Sequence, residues 1–114
     1  MSKCSSSAPL SLKELTQLAE TFQALHAVIR LRIIGILAQG ESNVADLKAA
    51  LHVSQPLLSW HLRQLRQAGF VTYRRAGRQL LYRLSPERFL ELEAELKTLL
   101  GDFVDVDERP EKGA

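Results

Sequence analysis

Residues 43–69 read NVADLKAALHVSQPLLSWHLRQLRQAG, and this stretch decides the fold. Val44, Leu47 and Leu51 fall on one face of a short helix running from about Asn43 to Leu51. His52-Val53-Ser54 then makes a tight turn, and Ser54 is a good N-cap for a second helix from Gln55 to Ala68. Pro56 sits in the first turn, where a missing amide costs little, and Val53 can staple onto Leu58. Leu58, Leu62 and Leu65 form the inward face, and Gly69 closes the helix. Two short helices joined by a three-residue turn, the second with a polar outer face, are the pattern of a helix-turn-helix.

On the N-terminal side, Ser11 and Glu14 make a capping box, with Leu10 placed to staple onto Leu15. Leu15, Leu18, Phe22, Leu25 and Ile29 then recur at helical spacing. The segment Val28 to Gln39 is apolar on most sides, as for a helix in the middle of a core, and Gly40 ends it. On the C-terminal side the period changes to 2. Phe70–Arg75 and Gln79–Leu84 read as strands joined by a turn at Ala76-Gly77-Arg78, in which Gly77 can take positive φ. Ser85 and Pro86 start a last helix carrying Phe89, Leu92, Leu96 and Leu99, and Phe103 continues the series. The expected fold is therefore mainly α with a small β-hairpin, a winged helix-turn-helix of about five helices and a two-stranded wing. Residues 11–103 would form the domain, between a flexible tail at 1–10 and an acidic flexible tail at 104–114.

The 114 residues fit one domain, and 46% hydrophobic with 25% charged residues describes a globular protein. Ala27 to Ala38 is interrupted by Arg30 and Arg32 and is too short to span a bilayer, so no membrane partner is expected. The N-terminus carries no secretory pattern, and Cys4, the single cysteine, cannot form an internal disulfide. A cytoplasmic protein is expected. The net charge of +2 hides its distribution. Residues 1–46 hold four basic and four acidic side chains; residues 47–86 hold Lys48, Arg63, Arg66, Arg74, Arg75, Arg78 and Arg83 with no acid; residues 87–114 come to −5.

That acid-free stretch points to double-stranded DNA. With Leu58, Leu62 and Leu65 inward, Gln55, Pro56, Ser59, Trp60 and Arg63 lie on or beside the outer face, next to Ser54 at the cap. The N-terminal end of such a helix usually meets base edges. Gln55 suits adenine, Arg63 guanine or phosphate, and Ser59 a phosphate or base edge. Trp60 either packs sideways on the domain or makes apolar contact in the groove. Arg74, Arg75 and Arg78 on the hairpin suit phosphates or an adjacent minor groove. Arg83 and Lys48 are weaker candidates that could equally serve solubility. His61 is two residues from Ser59, a spacing that excludes a Ser–His catalytic pair on a helix. It reads instead as a hydrogen-bonder at the domain edge or a phosphate contact, while His26 and His52 read as structural or surface residues. No paired carboxylates in an apolar setting, glycine-rich phosphate loop or metal-ligand spacing supports an enzyme or a cofactor.

Several segments together resemble the ArsR/SmtB family of bacterial repressors. They are Ala24-Leu25, Arg30-Leu31-Arg32-Ile33-Ile34, Val44-Ala45-Asp46-Leu47, Ser54 to Leu62, Ala68-Gly69-Phe70-Val71, Arg75-Ala76-Gly77-Arg78 and Tyr82-Arg83-Leu84, spread over residues 12–100. The resemblance implies a homodimeric, sequence-specific repressor that binds an inverted-repeat operator and leaves it when an inducer, often a metal ion, binds. It also implies that the first and last helices form the dimer interface, with Leu15, Leu18, Phe22, Phe89, Leu92, Leu96 and Leu99 as candidates. The patterning agrees, because two such stripes exceed what a core of this size can cover.

The metal sites are where the chain departs from the resemblance. Asn43 and Ala45 stand where the arsenic-type site has cysteines, and residues 86–103 hold neither His nor Cys for a zinc-type site. Glu87, Glu91, Glu93, Glu95 and Asp102 read as a solvated helix face. Cys4 is a thiol in a mobile tail, a partner for a second subunit's, or part of a site made at the N-terminus. No metal site is expected, and the residues name no small-molecule or ion inducer. Ala27-Val28 replaces the family's frequent Asp-Pro, which leaves the junction of the first two helices less defined. The alternatives are a winged-helix protein-interaction module that does not read DNA, or a metal- or redox-responsive repressor using another site.

Overall fold

The computed structural model describes residues 10–101. The Ser11–Glu14 capping box is formed: Glu14 N–H donates to Ser11 Oγ at 3.1 Å, and Ser11 N–H donates to Glu14 Oε1 at 2.8 Å. It opens helix α1 (Leu12–Leu25). The apolar stripe stops at Leu25 instead of running on to Ile29, because the chain breaks at His26 and at an extended Ala27 (φ −167°, ψ 131°) before α2 (Val28–Leu37). The junction is sharp even without Asp-Pro. Arg30 secures it, its Nη1 donating to the carbonyls of Ala24 at 3.0 Å and Gln23 at 3.3 Å. The helix end leaves the Ala24 carbonyl to this side chain, whereas the Gln23 carbonyl also accepts from His26 N–H at 3.1 Å.

A two-residue strand, β1 (Ser42–Asn43), precedes α3 (Val44–Leu51) and α4 (Gln55–Gln67). Asn43 Oδ1 caps α3 by accepting from Asp46 N–H at 2.7 Å, and Ser54 Oγ caps α4 by accepting from Leu57 N–H at 3.4 Å. Between the two helices His52 adopts the left-handed conformation (φ 57°, ψ 47°). Residues with a Cβ pay roughly 1–2 kcal/mol there, and histidine visits it more readily than most. This single residue reverses the chain from α3 into the cap of α4.

Strands β2 (Val71–Ala76) and β3 (Gln79–Leu84) pair antiparallel, from Val71 opposite Leu84 to Ala76 opposite Gln79. The two-residue connection begins with Gly77 at φ 65°, as a tight hairpin requires. The expected two-stranded wing gains a third strand, since Ser42 and Asn43 pair with Tyr82 and Leu81 to give the sheet order β1-β3-β2. Helix α5 (Pro86–Leu100) follows. Ser85 precedes it but makes no side-chain cap; its N–H donates to the Phe70 carbonyl, and its own carbonyl accepts from Arg88 N–H. Phe103, Cys4 and the two expected tails, apart from Leu10, lie outside the described residues.

The core joins Ile33 and Leu37 of α2, Leu47 and Leu51 of α3, Leu58, Leu62 and Leu65 of α4, and Phe70, Val71 and Tyr82. Full burial of each such side chain contributes about 1.5–3 kcal/mol. Helix α2 departs from expectation. Although apolar on most sides, it is only partly enclosed, and Val28 and Leu31 remain 73% and 54% exposed. The architecture is a winged helix-turn-helix in which α2 and the sheet support α3 and α4 from behind, leaving the outer side of α4 open.

Candidate nucleic-acid interface

Helix α4 presents Gln55, Pro56, Ser59 and Arg63 to solvent, with Ser54 exposed at its cap, while Leu58, Leu62 and Leu65 are buried. The periodicity therefore places these side chains as expected from the sequence. Ser54, Gln55, Pro56 and Ser59 cluster in the first turns, where unpaired backbone amides and the positive end of the helix dipole favour an anion.

His61 does not join that face. The residue is only 8% exposed, and Nδ1 accepts a 3.0 Å hydrogen bond from Nε of the similarly buried Arg30. Of the two roles expected of it this is the hydrogen-bonder and not the phosphate contact, because position 61 flanks the Leu58–Leu62–Leu65 stripe and turns inward. Burial, and then the charge of Arg30, hold the His61 pKa below its ordinary 6.5. An imidazole that accepts at Nδ1 from a cation must be neutral, with its proton on Nε2.

Trp60 packs sideways on the domain, one of the two roles left open for it. Its ring meets His61 edge-on at 5.0 Å between centroids and lies 4.9 Å from the Arg30 guanidinium. Even so, 44% of the residue stays exposed. One side is braced on the domain and the rest is open to solvent.

The three wing arginines are not equivalent. Arg75 and Arg78 are exposed and form no ion pair with a described residue. Arg74 is engaged by Glu41, with Nε and Nη2 each 3.1 Å from a carboxylate oxygen. The bond holds the Glu41 carboxyl below its usual range and raises the Arg74 guanidinium. Residues 47–86 are thus free of acid along the chain but not in space, since the β1–β3 pairing carries Glu41 to the wing. At the far end of α4, Arg88 donates from Nε to the Ala68 carbonyl at 3.0 Å and from Nη2 to Thr21 Oγ1 at 2.8 Å. It ties α5 to both α4 and α1. Among the described residues no group of three or more His, Cys, Asp or Glu is placed to hold a metal ion, and no helix is long and apolar enough to cross a membrane.

Residues 28–73, from α2 into β2, match the family model for bacterial regulatory proteins of the arsR family. Over 84 residues the chain is 39% identical to the biofilm growth-associated repressor of Agrobacterium fabrum, covering 74% of this chain and 72% of that relative. The chain belongs to the arsR family. It is also 41% identical over 87 residues to a transcriptional repressor SmtB homolog of Synechocystis sp., covering 76% of this chain and 66% of the relative, so about a third of that relative lies outside the match. The crystal structure of a possible transcriptional regulator for arsenical resistance is similar at a TM-score of 0.65 and 34% identity, over 75% of this chain and 90% of that one. The arsR family is one of regulators rather than enzymes.

Three residues of this arsR-family chain escaped the sequence reading. Arg30 looked like a charge interrupting an apolar helix, Glu41 was one acid in a balanced segment, and Arg88 carried no signal of its own. Each acts through a partner distant in sequence, and no local pattern announces it.

Proposed function

We propose that this chain is a homodimeric, sequence-specific DNA-binding transcriptional repressor that acts in the cytoplasm on an inverted-repeat operator. The observation that carries the reading is the set of exposed polar side chains Ser54, Gln55, Ser59 and Arg63 along α4 combined with a wing whose tip bears the exposed Arg75 and Arg78. Gln55 is suited to an adenine edge, Arg63 to guanine or phosphate, and Ser54 and Ser59 to phosphate or base edges. Pro56 holds the first turn, and the open part of Trp60 offers apolar contact to a thymine methyl. Arg75 and Arg78 meet phosphates or the adjacent minor groove. Arg74 contributes only if it leaves Glu41, and His61 supports α4 from behind.

The second copy would cover apolar side chains that one chain leaves open. Leu15 and Phe22 on α1 and Leu99 on α5 are exposed, and Leu96 is half-buried. Leu18 is already buried, and Phe89 and Leu92 pack against the core, so these three mainly support the interface from within. Two-fold symmetry would set two α4 helices ~34 Å, or a multiple of it, apart along the duplex. The side chain at 43 is occupied in capping α3 and position 45 is alanine, which supports a repressor without the thiolate pair of arsenic-type sites.

Fluorescence anisotropy with a duplex from the chain's own promoter region tests the reading. The expected result is preference over random duplex and an affinity that falls steeply between about 50 and about 200 mM salt. Equal affinity for both duplexes, or indifference to salt, refutes it. Light scattering is expected to give the mass of two chains.

A further inference from the structure

Glu41 lies immediately before β1, and the pairing of Ser42 with Tyr82 brings it beside Arg83 and within reach of Arg74. Its two oxygens take Nε and Nη2 of Arg74, both at 3.1 Å. A planar pair of oxygens on the guanidinium fork is the same geometry by which an arginine grips a phosphate. Exposed ion pairs add little to stability, and the strands here are already held by backbone pairing. What the pair does change is the charge that the wing offers to DNA.

We infer that Glu41 acts as an internal stand-in for a DNA phosphate, keeping Arg74 out of sequence-independent contact while Arg75 and Arg78 remain available. The inference rests on the DNA-binding reading above. A cation already neutralised by a carboxylate displaces no counterion from the duplex, so Arg74 adds nothing to the salt dependence of binding. For Arg74 to take a phosphate it must first release Glu41, whose freed charge then lies beside the DNA backbone and opposes the exchange.

The test is binding of a random-sequence duplex across a salt series by wild type, Glu41→Gln, Glu41→Ala, Arg74→Ala and the double variant E41Q/R74A. Glu93→Gln is the control, making the same change in net charge at an exposed position on α5. Both Glu41 variants are expected to bind more tightly at low salt and to steepen the log K against log salt slope by about 0.9 per chain. Between about 50 and about 200 mM salt that is about 3.5-fold more affinity lost per chain. Arg74→Ala, Glu93→Gln and the double variant keep the wild-type slope. If the Glu41 variants also keep it while wild type binds with a steep slope, the inference falls and the DNA-binding reading stands. If Glu41→Gln and Arg74→Ala weaken binding alike, the pair is a brace for the wing and the inference again falls. If wild type shows no salt-dependent binding, both fall.

Discussion

Arg30 reaches His61 across 31 residues of chain, Nε to Nδ1 at 3.0 Å, and ties the C-terminal end of α1 to α4. A buried guanidinium without a carboxylate partner is costly unless its donors find acceptors. Here two backbone carbonyls, an imidazole nitrogen and the nearby Trp60 ring supply them. The arrangement works only while His61 is neutral, since a protonated ring turns its acceptor into a donor and places two cations in contact.

Stability should therefore depend on pH through His61. Its folded pKa lies below the ordinary 6.5, so between the two values the unfolded chain binds the extra proton. The stabilisation is fully present above about pH 6.5 and is lost as pH falls through the folded value. Other groups titrate over the same range, so the comparison is with His61→Gln, which cannot take the proton. Thermal unfolding from pH 7 down to 5 is expected to cost the wild type more of its melting temperature than it costs the variant; parallel curves would remove His61 from this role.

Arg30→Ala leaves His61 Nδ1 and the Ala24 carbonyl without their donor, while the Gln23 carbonyl keeps the His26 N–H. Buried groups left unsatisfied typically cost about 1–3 kcal/mol each, so a loss of about 3 kcal/mol is expected overall. Arg30→Lys keeps the charge but not the fork and should recover only a small part of it. Urea unfolding measures both, and the midpoint should fall with little change in slope.

On DNA, the α4 and wing positions should separate cleanly. Arg75→Ala and Arg78→Ala are expected to weaken binding to every sequence and to flatten the salt slope by about 0.9 each. Gln55→Ala should cost about 1–3 kcal/mol at one base position and relax preference there, with the salt slope unchanged. Anisotropy against operator variants distinguishes the two patterns. Unaltered base preference in Gln55→Ala would move the reading edge of α4 elsewhere.

The parts of the fold legible in the sequence are those fixed by neighbours a few residues apart. Ser54 and Pro56 start α4, Leu58, Leu62 and Leu65 set its rotation, and Gly77 marks the hairpin, all by local rules. The same rules placed Gln55, Ser59 and Arg63 outward. They were silent on β1, a strand of two polar residues whose only signature is its pairing with Tyr82 and Leu81. They left His61 open between a hydrogen bond at the domain edge and a phosphate contact, because it lies at the margin of the apolar stripe and is decided by Arg30 on another helix. Charge counting failed at Glu41 for a related reason: the sheet brings together residues that the chain keeps 33 apart.

Exposure divides the terminal stripes into residues that serve the single chain and residues that it leaves open, which under the proposed dimer would meet a second copy. Leu18 is buried within one chain, whereas Phe22 and Leu99 are open although large and apolar. Leu18→Ala should thus destabilise the chain itself, by about 2–5 kcal/mol. Phe22→Glu and Leu99→Glu should leave it folded but place a charge in a contact that must lose water. Light scattering is expected to show single chains for the two charged variants at concentrations where the wild type is paired. Their loss on DNA should be larger than any one contact explains, since joining two half-site binders can raise affinity by 10²–10⁴ over either alone. If both variants stay paired and bind normally, the interface lies elsewhere, and the open Val28 and Leu31 on α2 become the next positions to charge.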